Sequence, residues 1–354
     1  MKRSMIAVVS MVAAIAVCLA VSATAGAGSV PFNAPGFTYT KVIDGGAAKL
    51  RSAAFSPDGN LIAYTYNSQT MKLYDRTSGT STTVGTTTHD YFTSPYFSAD
   101  GLKIGWTDAS DGPNYAFQVY TISGGTTVTY ARPATTGPDA ANSDFLGSYT
   151  DQWVAYDFHS NALDPPYPGE ADLYKYSASG TNWVQGTNLT SSTTHSEYEP
   201  DSNAAGNKIL YWSGETTTEP VNTTHTLTDV SGTWTKDVGF TPITYSTWAF
   251  WSQDETKIGV CKDDPGYYMS DLYVYDAAGN FLLDLTGPAV GQGAAIQRFG
   301  FNFKVGNEYV FTSTADNALG GRDIWVATPE PATMALMALG GIGTLLRRRR
   351  GYGG

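Results

Sequence analysis

The amino-acid sequence predicts an all-β fold: a six-bladed β-propeller of four-stranded antiparallel blades, closed by an N-terminal strand. Three observations predict it. A unit of four short strand-like runs recurs along the chain, its second strand centred on Tyr64, Trp106, Tyr156, Tyr211, Val260 and Phe311, at separations of 42 to 55 residues. Within these runs aromatic and polar residues alternate between Gly, Asp and Ser punctuation, and no amphipathic helical period competes. The last unit supplies only three strands before the sequence changes character, and the unassigned segment Gly36 to Ile43 is available as the fourth. One such sheet cannot bury both of its faces, whereas six packed radially can.

Residues 1–25 come first, with Lys2 and Arg3, an apolar run from Met5 to Val21, and the small residues Ala23, Thr24 and Ala25. That order is a secretory signal peptide, and Cys18 leaves with it. The propeller is expected over residues 36–327. "GFTYTKVI" is its closing strand, hiding an edge that would otherwise invite aggregation. Blade one is the clearest copy, "AAFSPDGNLIAYTYNSQTMKLYDRTSGTSTTV", and "SPYFSADGLKIGWTDASDGPNYAFQVYTISGGTTVTY" repeats it as blade two. Blade three shortens the first turn to "SYTDQ", and blade four stretches it to "PDSNAAGN". Blade five returns to the pattern with "WAFWSQDETKIGVCKDDPGYYMSDLYVYDAAGNFLLDLT". Its Cys261, the one cysteine outside the signal, is expected as a buried strand thiol. Blade six ends in "GRDIWVATP".

Residues 328–354 are of another kind. Pro329, Glu330 and Pro331 precede fifteen apolar or small residues, Ala332 to Leu346, and then Arg347, Arg348, Arg349 and Arg350. As a helix that stretch spans about 22 Å against about 30 Å of hydrocarbon, a short transmembrane anchor. The arginines hold its C-terminus in the cytoplasm, which leaves the body outside, in agreement with the signal peptide. This three-part order resembles the PEP-CTERM sorting signal of bacteria. The resemblance implies an exosortase-type processing enzyme as partner and an inner-membrane-anchored intermediate. It also implies delivery of the body to the cell surface or extracellular matrix. The turns "FSPDG" and "FSADG", with "DLYKY", "DLYVY" and "DIWVA" at Asp172, Asp271 and Asp323, resemble the WD-repeat-like blades of TolB-type propellers.

The formal charge of −11 understates the acidity of the exported body, because Lys2, Arg3 and Arg347 to Arg350 are all terminal. Nucleic acid is a poor partner for such a surface, and cations, basic proteins or neutral glycans fit it better. Because strand direction alternates within a blade, the turns "SPDG", "TSG", "SGG" and "AAG" share one face. The long insertions "TDASDGPNYA", "FHSNALDPPYPGEAD", "CKDDPGYYMSD" and "STADNALGGRD" share the other. That second face gathers Asp108, Asp111, Asp164, Glu170, Asp263, Asp264 and Asp316, with His89, Asp90, His195 and Glu197 where inner strands begin. Oxygen ligands of this kind suit a hard cation such as Ca2+. No run has calcium-loop spacing, however, and solvated turn residues are the plainer reading. His159 and His225 read as isolated surface side chains. Tyr167, Trp212, Tyr267 and Tyr268 are of a type that stacks on sugar rings, though Tyr is abundant throughout.

Catalytic signatures are missing: there is no Gly-x-Ser-x-Gly elbow, no His-Glu-x-x-His and no paired-cysteine spacing. The expectation is therefore a non-catalytic binding or scaffold protein, with no resident cofactor and with an extracellular polysaccharide or envelope protein as candidate ligand. Two alternatives stand beside it. One is a propeller hydrolase or lyase acting on extracellular glycans or lactones through acids such as Asp90 and Glu197. The other is a TolB-like periplasmic interaction module.

Overall fold

In the computed structural model, strand β1 (Phe37–Ile43) is followed by blade one, built from β2 (Leu50–Phe55), β3 (Leu61–Tyr66), β4 (Thr70–Asp75) and β5 (Thr80–Thr86). Blade two is β6 (Tyr96–Phe97), β7 (Lys103–Asp108), β8 (Ala116–Thr121) and β9 (Thr126–Ala131). Blade three is β10 (Ala141–Leu146), β11 (Tyr149–Phe158), β12 (Ala171–Ser179) and β13 (Asn182–Asn188). Blade four is β14 (Glu197–Ser202), β15 (Lys208–Ser213), β16 (Thr223–Val230) and an outer strand in two pieces, β17 (Thr233–Lys236) and β18 (Ile243–Thr244). Blade five is β19 (Ser246–Trp251), β20 (Lys257–Asp263), β21 (Ser270–Asp276) and β22 (Phe281–Asp284). Blade six contains β23 (Tyr309–Ser313) and β24 (Asp323–Pro329), and β1 completes it. The structure describes residues 32, 34–86, 95–108, 116–131, 141–146, 149–158, 171–190, 197–214, 222–252, 254–263, 270–286, 308–313, 319 and 321–330.

The predicted closure is present. β1 runs antiparallel to β24, from Phe37 opposite Pro329 to Lys41 opposite Trp325, with a bulge before Ile43. Its inward residues Phe37 and Tyr39 are buried with Phe311 and Trp325, and Phe32 packs edge-on to both of those rings at 5.0 and 5.3 Å. The Tyr39 hydroxyl donates to the Leu285 carbonyl at the end of blade five. At the other end of the strand, Lys41 Nζ lies 2.8 Å from Asp323 Oδ2, whose side chain is fully buried, and the Gly45 amide donates to Oδ1 of the same carboxylate at 2.9 Å.

The core is distributed between blades. Leu50, Tyr64, Val310 and Val326 join blades six and one, while Ala63, Met71, Ile104 and Trp106 join one and two. Val154, Leu173, Ile209 and Leu227 join three and four, and Leu210, Trp251, Val260 and Tyr275 join four and five. A further cluster holds the blade-two and blade-three residues Phe117, Trp153 and Tyr176, and also the blade-five and blade-six residues Cys261, Val274 and Tyr309. Every junction between neighbouring blades, the closing one included, therefore has its own apolar packing, which is the condition for a ring. Cys261 is buried and outside any disulfide, as its apolar neighbours predict.

The turn between first and second strands is one repeated device. Ser56 donates to Asp58 and accepts the Leu61 amide, Ser98 does the same with Asp100 and Lys103, and Ser252 with Asp254 and Lys257. Blade four substitutes Asn203, whose side-chain oxygen accepts the Asn207 and Lys208 amides. These short side-chain-to-backbone bonds are why a Ser or Asn followed by acidic and glycine residues marks the hairpin.

Blade three corrects two sequence readings. Residues 149–152 of the expected turn "SYTDQ" lie in strand β11, so the connection from β10 is only two residues long. Strand pairing also makes Ala155, opposite Tyr174, the counterpart of Val260 opposite Tyr273 and Phe311 opposite Trp325. Tyr156 is one position out of register. A slip of one residue exchanges the two faces of a strand, and Ala155, fully buried, holds the position that the repeat spacing gives to Tyr156.

Candidate functional site

Connections from first to second and from third to fourth strands emerge on one face and contain two to five residues in the blades where both ends are described. On the opposite face, the second-to-third connections of blades two to six contain six to twelve. The asymmetry expected from the sequence is therefore built into the strand boundaries.

Of the acidic and histidine residues assigned to that face, the structure describes three. Asp108, at the end of β7, accepts a 2.9 Å hydrogen bond from the Gln118 side-chain amide. Glu197, at the start of β14, is 5% exposed. Asp263 ends β20 opposite Ser270. These lie on blades two, four and five. His89, Asp90, Asp111, Asp164, Glu170, His195, Asp264 and Asp316 lie outside the described residues, as do His159, Tyr167, Tyr267 and Tyr268. Among the described residues no group of three or more His, Cys, Asp or Glu side chains is placed to hold a metal ion.

His225 corrects its surface reading. It is buried in β16, tilted against the Tyr211 ring at 5.6 Å, with Lys236 Nζ 3.4 Å from Nε2. Trp212 packs on Tyr198 at 4.5 Å and donates its indole N–H to Glu199 at 3.1 Å, so it belongs to the inner wall of blade four.

That inner wall shows what the sequence did not announce. β14 carries Glu197, Glu199 and Asp201, all buried. Asp201 Oδ2 accepts the Trp251 amide of β19 at 2.7 Å, and Asp144 of β10 accepts the Ser202 amide of β14 at the same distance. Asp144 and Asp201 occupy equivalent register positions, so each fastens its inner strand to the next blade. Burial raises the Asp201 carboxyl to about 8, against the single opposing bond from Trp251. Glu199 has a φ of 49°, a conformation disfavoured for a side chain with Cβ. Ser52 and Trp248 share it at the same bulge of their inner strands, so the strain belongs to the blade and not to a special site.

A second group sits where blades six and one meet on the long-connection face. The chain from β1 to β2 passes the entry to β24 so closely that a Cβ on Gly45 would fall 2.0 Å from the Arg322 carbonyl oxygen. One on Gly321 would fall 2.1 Å from that of Gly46. The Arg322 amide donates to Ala48 at 3.0 Å. Arg322 itself is 7% exposed, and its guanidinium is pushed down to about 10, by burial first and then by the positive charge of Arg51. It stays charged at neutral pH. The long insertions of this face are dominated by acids, which mask both arginines in the sequence. The hint was Arg322 itself, a cation directly before the strand-opening Asp323.

Residues 327–350 match the family model of the PEP-CTERM protein-sorting motif. No curated protein matches the chain. Among solved structures it is similar to TolB from Acinetobacter baumannii, at 14% identity and a TM-score of 0.51, over 81% of this chain and 66% of that one. It is also similar to a gluconolactonase from Xanthomonas campestris, at 10% identity and a TM-score of 0.54, over 86% of this chain and 99% of that one. An oligogalacturonate lyase from Vibrio parahaemolyticus matches at 9% identity and a TM-score of 0.54, over 86% and 100%. At such identities the likeness shows the fold, which one scaffold lends to binding and catalytic proteins alike. Among the described residues no helix is long and apolar enough to cross a membrane, and Pro331 with the apolar and arginine segments of the tail lies outside them. The chain is a six-bladed β-propeller, similar in fold to TolB, that carries a PEP-CTERM sorting motif, the mark of an exported protein recognised by an exosortase-type enzyme.

Proposed function

We propose that this is a non-catalytic binding or scaffold protein of the cell surface or extracellular matrix, taking its ligand on the long-connection face of the propeller. The observation that carries the reading is the difference between faces. One has short, internally hydrogen-bonded turns, and on the other the strand boundaries leave six to twelve residues between second and third strands in blades two to six. The described carboxylates favour binding over chemistry, since Asp144, Asp201 and Asp323 are committed to holding strands together. In this reading the Pro329-Glu330-Pro331 segment is the processing site and the tail a temporary anchor, and the acids of the face provide for a cation such as calcium.

Isothermal titration of the purified body against calcium and a panel of extracellular glycans tests the proposal, with binding and no turnover as the expected outcome. The second reading, a hydrolase or lyase for glycans or lactones, is favoured by Glu197 and Glu199, two buried carboxylates that β14 carries two positions apart. Turnover of such a substrate that disappears in Glu197→Ala would establish it in place of the first.

A further inference from the structure

Both ends of the propeller emerge on one face. In each blade the second strand starts at the short turns and the third returns to them. β24, the third strand of blade six, therefore leaves the long-connection face at Asp323 and ends on the short-turn face at Pro329. Side-chain bonds place that end independently. Thr328 Oγ1 donates to Glu308 at 3.3 Å, Glu308 accepts Arg76 at 2.9 Å, and Arg76 also donates to the Gly59 carbonyl at 2.9 Å. Gly59 lies in the first turn of blade one, between β2 and β3. β1 starts at the same face, with Phe37 opposite Pro329.

The ladder continues one residue past the strand. The Glu330 amide donates to the Gly36 carbonyl at 2.8 Å, and Pro329 is buried while Glu330 is exposed. The body is thus fixed up to Glu330, and Pro331 alone separates that residue from Ala332, where the apolar stretch of the tail begins. Two residue steps reach at most about 7 Å, roughly the depth of one headgroup layer. A proline fixes its own φ and keeps the residue before it extended, so this link is stiff as well as short. With fifteen residues against about 30 Å of hydrocarbon, the apolar stretch has no surplus to lend as a spacer.

We propose that the short-turn face is the membrane-facing surface of the anchored protein. The tail seats it against the lipid headgroups and directs the long-connection face outward, about 20 Å further from the bilayer by the rise along β24. This rests on the reading of the tail as a temporary anchor. Nearness to lipid comes from the tether and not from affinity, because the turns and strand ends of this face carry Asp58, Asp75, Asp100, Asp254 and Asp276, which an anionic surface repels. Cutting the tail therefore favours release of the body. A ligand of the outward face can be taken before processing as well as after it.

The test uses the tail-bearing chain without its signal peptide, reconstituted in vesicles of phosphatidylethanolamine and phosphatidylglycerol with a nitroxide on a fraction of the headgroups. Ser78→Cys and Ala278→Cys put a fluorophore in short turns of blades one and five, and Gln69→Cys and Leu319→Cys put one on the opposite face, all at exposed positions. Cys261 is buried and is expected to take no label. The nitroxide lipids are expected to quench the first pair at least threefold more than the second. Inserting about twenty Gly and Ser residues between Glu330 and Pro331, about 25 Å of random coil, is expected to erase that difference while the chain still floats with the vesicles. Equal quenching of the two pairs, or stronger quenching of the second, in a chain that floats overturns the orientation and leaves the anchor standing. A difference that survives the insertion shows a face held by affinity and overturns the tether. A chain that does not float removes the anchor reading itself, and the orientation with it.

Discussion

Deletion of Phe37–Ile43 is expected to abolish cooperative folding and leave an aggregating chain, although it removes only seven residues. Those residues form the whole outer strand of blade six. Without them β24 offers an unpaired edge, the hazard that closure of the ring removes. The loss of Phe37 and Tyr39 also uncovers Phe311 and Trp325, at about 2 to 3 kcal/mol for each large buried side chain. A milder version isolates the electrostatic part. Lys41→Met withdraws the counter-charge from the fully buried Asp323, which is expected to cost about 3 to 5 kcal/mol in urea denaturation. Adding Asp323→Asn should recover part of that loss. If Lys41→Met were neutral, the ion pair would not be part of the seam.

Stability should also fall as pH rises, through Asp201. Its carboxyl is buried against β19 and lifted to about 8 by desolvation, whereas in the unfolded chain it titrates near 4. Between those values the fold holds a proton that the unfolded chain has released. The contribution is therefore intact below pH 4, declines across the interval, and is gone above pH 8. Its slope has a ceiling of about 1.4 kcal/mol per pH unit. Asp201→Asn keeps an oxygen to accept the Trp251 amide and has nothing to titrate. Urea denaturation at pH 5, 7 and 9 should show wild type losing stability relative to this variant at each step. Parallel pH profiles for the two proteins would contradict the assignment.

Much of this architecture was legible in the residues. The Ser-x-Asp turns, the alternating strands and the three-stranded last blade announced a ring and named the segment that seals it. These are local signals, repeated often enough to be read in register. Where the repeat weakens, in blade three, the spacing aligns Tyr156 with the other second-strand centres while strand pairing puts Ala155 there, because hydrophobic alternation alone does not fix register when the turn is short. The bonds of Asp144 and Asp201 were invisible for a different reason. Each reaches a backbone amide 50 or more residues away on another blade, and nothing near either residue marks it as structural. His225 looked like a surface histidine because its burial comes from neighbouring strands. Arg322 was hidden in the same way, since its partner in charge, Arg51, lies at the opposite end of the propeller sequence. The candidate face was predicted as a set of acids, and the part of it described by the structure adds the buried Arg322, whose backbone bond to Ala48 only ring closure makes possible.

A disulfide across the seam tests that closure most directly. Thr38 and Thr328 lie opposite each other on β1 and β24, outside the core, and the protein's remaining cysteine, Cys261, is buried. Oxidation of a Thr38→Cys, Thr328→Cys variant of the mature body should join the two within one molecule, rapidly and nearly completely, and raise Tm. Free thiols after oxidation, or cross-links formed only between molecules, would contradict a propeller sealed by its own N-terminal strand.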